Sequence, residues 1–83
     1  MYHKLRYTER FERQYAALPV QVRAKVDKQI EFLVEDFRHP SLRSKKYDEV
    51  RDIWQARVDR KYRFYFQFQG DTYLLLAVIP HPR

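Results

Sequence analysis

The chain has 83 residues, with 17 Lys and Arg against 11 Asp and Glu, and a formal net charge of +6. That length excludes a multidomain enzyme, because domains typically run to roughly 100–200 residues, while 45% hydrophobic and 17% aromatic content excludes a disordered tail. The absence of cysteine removes disulfides, thiolate metal sites and thiol nucleophiles, and no apolar run approaches the ~20 residues of a membrane helix or forms a signal-peptide core.

The expectation is therefore one basic cytoplasmic domain over residues 1–83, with no membrane association. Tyr2–Tyr7 alternates in character and reads as a strand. Thr8 can cap a helix with Glu9 and Glu12 in its first turn and Phe11, Tyr15 and Leu18 on one face. Pro19 ends that helix and opens a second as its first residue. In this second helix Val22, Val26, Ile30, Leu33 and Phe37 recur at spacings of three and four, and His39-Pro40 stops it. Ser41–Arg51 is mostly charged, without an apolar period, and reads as a loop.

From Ile53 the period becomes two, and Ile53–Val58, Tyr62–Gln69 and Thr72–Ile79 read as strands. The expected fold is α+β, in the order β-α-α-β-β-β. A helical hairpin packs on one face of a largely antiparallel four-stranded sheet.

The apolar faces predict the register. Trp54, Ala56 and Val58 share a face with Phe66, Phe64 and Tyr62 only if the hairpin loop is odd, and Asp59-Arg60-Lys61 satisfies this. Arg57 then falls opposite Arg63, and Gln55 opposite Tyr65. Like charges directly opposed are unfavourable in a sheet. Either the two guanidiniums splay into solvent or pair with Asp52 or Asp59, or they grip an oxyanion such as phosphate. Lys45, Lys46 and Lys61 lie near in sequence, and basic side chains interleaved with Tyr65 suit single-stranded RNA.

Gly70-Asp71 predicts a two-residue type II′ turn. This register sets Phe64 against Ala77 and Phe66 against Leu75 on the core face, and on the other face Arg63 against Val78, Tyr65 against Leu76 and Gln67 against Leu74. Leu74, Leu76 and Val78 then point away from the helices, an apolar patch for a partner chain to cover.

Few groups can do chemistry. His3 and His39 read as ordinary surface residues. His81, between Pro80 and Pro82, is either a terminal residue without a role or a proton-transfer group. No metal is expected, since no His or carboxylate pair has ligand spacing. Asp48, Glu49 and Asp52 read as balancing the basic loop. A single glycine rules out a nucleotide-cradling loop, so no cofactor is expected. A metal-free nuclease would need a cationic clamp, for which Arg57 and Arg63 are candidates, and a proton-transfer group, for which His81 is one.

The element order, the stretch Ile53-Trp54-Gln55-Ala56-Arg57-Val58, then Tyr62-Arg63-Phe64-Tyr65-Phe66, and the ending Val78-Ile79-Pro80-His81 resemble the RelE/ParE toxins of bacterial toxin–antitoxin modules. Resemblance to the RelE branch implies an endoribonuclease that enters the ribosomal A site and cuts mRNA by 2′-OH attack without metal. It implies that Arg63 holds the scissile phosphate, that Arg57 assists, and that His81 occupies a basic or histidine position after the last strand. Lys45 and Lys46 would meet ribosomal RNA, and the partners would be an antitoxin, the ribosome and mRNA.

Gln55 departs from members with a lysine there. The chain also stops at Arg83, short of the terminal tyrosine some members carry, and Asp48 and Glu49 are candidates for a base. The ParE branch implies a DNA gyrase poison instead. A degenerate toxin that only binds antitoxin, or a basic RNA-binding module, is the third reading.

Overall fold

The computed structural model describes residues 4–81. Strand β1 (Lys4–Tyr7) leads through Thr8 into helix α1 (Glu9–Ala16), and Pro19 precedes helix α2 (Val20–Glu35). Thr8 caps α1 by accepting the Phe11 amide at 3.0 Å, and Glu9 and Glu12 sit in the positive first turn. Pro19 stands just outside α2, one position earlier than expected, and its carbonyl accepts the Val22 and Arg23 amides.

Helix α2 also ends earlier than the proline signal implies. Asp36 turns extended, and its carboxylate accepts the Arg38 amide at 2.9 Å, a local bond that competes with the helical one. Phe37 lies beyond the helix and packs edge-on against Trp54 and Phe68. Among the described residues no helix is long and apolar enough to cross a membrane.

The chain continues through a 3₁₀ turn (Pro40–Leu42) into β2 (Lys45–Asp48), β3 (Ile53–Arg57), β4 (Tyr62–Gln69) and β5 (Thr72–Pro80). The sheet has five strands in the order β1-β5-β4-β3-β2, with β1 parallel to β5 and the other pairs antiparallel. The expected α+β class holds, and the strand count is corrected from four to five. The added strand is β2, inside the segment read as a loop. It is a short charged edge strand held by main-chain bonds to β3, with a register shift between Lys46 and Asp48. Of the expected first strand, Tyr2 and His3 lie outside the described residues.

The β3–β4 register is the one the apolar faces demand: Trp54 faces Phe66, Ala56 faces Phe64, Gln55 faces Tyr65 and Arg57 faces Arg63. The β4–β5 register agrees near the turn, where Gly70 takes φ +62 and Gln67 faces Leu74. It then slips. Phe66 pairs with Leu75 but Tyr65 pairs with Ala77, so Leu76 is an extra, bulged residue.

The slip turns Val78 into the core at 2% exposure, which corrects its expected outward orientation. Helix α1 satisfies the polar atoms this frees: Thr8 Oγ1 donates to the Leu76 carbonyl and Gln14 Oε1 accepts the Val78 amide, both at 2.9 Å. The core joins Phe11, Val26, Ile30 and Leu33 of the helices to Ala56, Phe64, Phe66, Tyr73, Leu75 and Val78 of the sheet.

Candidate nucleic-acid interface

Where β2, β3, β4 and the end of β5 meet, Arg43, Lys45, Gln55, Arg57, Arg63 and His81 line a cleft of about 200 Å³. Each reaches it for a local reason. Arg43 closes the 3₁₀ turn in a left-handed conformation (φ 46) with its amide on the Pro40 carbonyl. Lys45 pairs across the sheet with Gln55, and Arg57 with Arg63. His81 follows β5 and is fixed by its amide donating to the Lys61 carbonyl at 2.5 Å.

Buried Gln29 of α2 fastens this corner from behind. Its Nε2 donates to the Ser41 carbonyl at 3.1 Å and the Arg57 carbonyl at 2.8 Å, while its Oε1 accepts the Ser41 hydroxyl.

The charges in the cleft are not neutralised from within. Asp59, one proposed partner for the arginines, spends its carboxylate on the Lys61 and Tyr62 amides and on Lys25. Burial raises its pKa, but those bonds outweigh it and hold the carboxyl below the usual aspartate value. Asp52 pairs with Lys46 at 2.6 Å. Among the described residues no carboxylate lies within ion-pair distance of Arg43, Lys45, Arg57 or Arg63.

Arg63 is oriented by two main-chain acceptors, the carbonyls of Asp59 at 2.5 Å and Tyr62 at 2.9 Å. Burial and then the Arg57 charge lower its pKa from the ordinary guanidinium value. A cationic hollow with a fixed guanidinium and an adjacent imidazole can bind a phosphodiester and move a proton beside it.

The remaining residues singled out in the sequence fall elsewhere. Lys46 lies over the Trp54 ring at 4.9 Å, on the helix-facing side of the sheet, and pairs with Asp52 and Glu49. Lys61 is exposed in the hairpin loop, near the Tyr62 ring. Tyr65 is buried, with its hydroxyl accepting from Gln55 Nε2 at 3.0 Å, which ties it to a residue lining the cleft. Asp48 accepts the Arg51 amide and Glu49 pairs with Lys46, so neither enters the cleft. Among the described residues no group of His, Cys, Asp or Glu is placed to hold a metal ion.

Sequence reasoning missed Arg43 and Tyr47. Arg43 opens the basic stretch running to Arg63 and was findable on that ground. Tyr47, exposed with its ring edge-on to Tyr65 at 4.9 Å, could not be placed without β2.

A second hollow of about 390 Å³ lies on the outer face of the sheet, walled by Tyr47, Ile53, Tyr65, Leu76, Ala77 and Ile79 with Thr8 and Arg10 at its rim. Of the three residues expected to meet a partner, Leu76 lines it. Leu74 is half-buried across from Gln67, and Val78 is in the core.

No protein-family model matches the chain, and a search of curated sequences finds no match. Solved structures do match. A chain of the archaeal RelE–RelB complex from Pyrococcus horikoshii OT3 superposes with a TM-score of 0.80 at 15% identity, covering 100% of this chain and 99% of that one. The chain has the RelE/ParE toxin fold. A YoeB/ParE toxin from Agrobacterium tumefaciens gives a TM-score of 0.79 at 14% identity over 95% of this chain and 99% of that one. A chain of the RelBE2 toxin–antitoxin complex from Mycobacterium tuberculosis gives 0.78 at 20%, over 98% and 100%. At these identities the likeness is one of fold.

Proposed function

We propose that this chain with the RelE/ParE fold is the toxin of a toxin–antitoxin pair and a ribonuclease acting on mRNA at the ribosome. The observation that carries the reading is the opposed Arg57–Arg63 pair, left without a carboxylate partner among the described residues and joined in one cleft by Arg43, Lys45 and His81. In this mechanism the two guanidiniums hold the scissile phosphate and stabilise the charge that grows on its oxygens. The ribose 2′-oxygen attacks phosphorus as its proton leaves, the bond to the 5′-oxygen breaks, and that oxygen gains a proton. The products are a 2′,3′-cyclic phosphate and a 5′-hydroxyl. His81 handles one of the two proton transfers. Exposed Tyr47 and Lys45 on β2 steer the strand into the cleft.

The antitoxin partner is supported by the RelB-bound neighbours. In this reading an apolar antitoxin segment covers the outer-face hollow at Leu76 and Ile79.

Mapping of mRNA 5′ ends after induction without antitoxin tests the proposal. Cuts within translated codons are expected, falling about 10²–10³-fold in Arg63→Ala. Intact mRNA with accumulating gyrase-linked DNA breaks would replace it with the ParE reading. Absence of toxicity and of either kind of cleavage, with antitoxin binding retained, would leave a binding protein only.

A further inference from the structure

The basic cleft has an acidic counterpart across the molecule. Strand β1 is an edge: among the described residues it pairs only with β5. The amides of Lys4 and Thr8 donate to β5 at the Asp71 and Leu75 carbonyls. By strand alternation the main-chain groups of Leu5 and Tyr7 therefore point outward, away from the sheet. The side chains of the same two residues face the helices and open two hollows, of about 380 and 430 Å³, that meet at Ile30.

At Tyr7 the walls are Phe11 and Tyr15, with rings 5.4 and 6.2 Å apart in succession, and the rim carries Glu12 and Asp27. At Leu5 the walls are Ile30 and Val34, and the rim carries Glu31 and Glu35. Each hollow thus pairs apolar or aromatic walls with two carboxylates, in a chain of net charge +6. The cations of β1 itself, Lys4 and Arg6, alternate to the opposite face of the sheet, Lys28 lies over the Phe32 ring, the Arg23 charge acts on Tyr15, and Asp27 accepts the Tyr15 hydroxyl.

We propose that the open edge of β1 takes up an extended segment of a partner polypeptide with basic side chains two residues apart. A strand added to β1 bonds to the outward groups of Leu5 and Tyr7. The partner residues opposite those two point to the helix side, separated by roughly 6.7 Å, the period of a strand. Lysine or arginine suits both positions. The aliphatic stem lies along the apolar wall and the charged head reaches the carboxylates; at Tyr7 the head also meets aromatic faces. Acidic residues at those positions would be repelled, which gives the edge its selectivity.

The test titrates the full-length chain, by amide NMR at low ionic strength, with a seven-residue threonine–valine peptide carrying lysine at its third and fifth positions. The expected result is saturable binding with shifts centred on Leu5, Tyr7 and Ile30, weakened about fivefold by Asp27→Asn with Glu35→Gln, whose exposed side chains leave the core intact. Methylating the two lysine amides abolishes it. The proposal is overturned if there is no saturable binding, if a glutamate version of the peptide binds as well, or if the shifts fall on the cationic cleft or the outer face.

Discussion

Gln29 is the residue on which the geometry of the cationic cleft rests most directly. It is only 5% exposed, and its amide bridges α2 to the 3₁₀ turn at Ser41 and to the last residue of β3 at Arg57. Gln29→Leu keeps the volume and removes three hydrogen bonds. Each is worth about 1 kcal/mol net, and the stranded Arg57 carbonyl adds a desolvation cost, so the expected loss is about 3–4 kcal/mol. For a chain of this size total stability is on the order of 4–12 kcal/mol, so the change is large. In urea melts it appears as a lower midpoint at constant slope.

Gln29→Glu sharpens the argument. Ionised, the introduced carboxylate faces two carbonyls and is buried; protonated, it can donate to one of them. Its pKa is therefore raised on folding. The raised folded pKa means the neutral variant approaches the parent at low pH, while the penalty relative to the parent grows as pH rises above the ordinary glutamate value. A Gln29→Leu loss below about 1 kcal/mol, or a Gln29→Glu penalty that does not change with pH, would refute the assignment of these bonds.

The bulge at Leu76 predicts that Val78→Ala costs about 2 kcal/mol and Leu76→Ala less than about 1 kcal/mol in denaturant melts; the reverse order would restore the uninterrupted register. Asp59 has a lowered folded pKa, so its contribution is present above the ordinary aspartate value and is lost as pH falls through the folded one. Asp59→Asn should accordingly lower stability near neutrality and converge with the parent in acid, as followed by thermal melts across pH. Arg57→Gln relieves the opposed charges and should raise stability by about 0.5 kcal/mol while reducing cleavage; a melting temperature unchanged or lower would mean the two guanidiniums do not repel in the folded chain.

The hairpin joining β3 and β4 was legible because polar and apolar residues alternate on both strands, so one register alone buries Phe64, Phe66, Ala56 and Trp54 together. That register also placed Arg57 against Arg63. The slip in β5 was not legible, because Leu74–Ile79 is apolar at every position and a shift by one residue costs the pattern nothing. The information that decides it lies in α1, where Thr8 and Gln14 receive the bulged main chain. Strand β2 escaped for a different reason: Lys45-Lys46-Tyr47-Asp48 has no buried face of its own, and an edge strand needs only a partner's main chain. With β2 unseen, Lys45 and Lys46 looked alike. The pleat separates them, sending one to the cleft and the other over Trp54.

The ion pairs explain how a chain this basic folds with cations gathered in one corner. The acidic side chains beside the cleft in sequence are all engaged away from it: Asp48 with Arg51, Glu49 and Asp52 with Lys46, and Asp59 with the hairpin loop and Lys25. They stabilise the loops that flank β3 and leave the strand face between them positive. Arg63 then needs no carboxylate to be held, because neutral main-chain carbonyls orient its guanidinium without cancelling its charge. A salt bridge would have fixed the side chain equally well and spent the charge in doing so. Orientation by carbonyls fixes the position of the guanidinium and leaves its charge uncancelled beside the opposed Arg57.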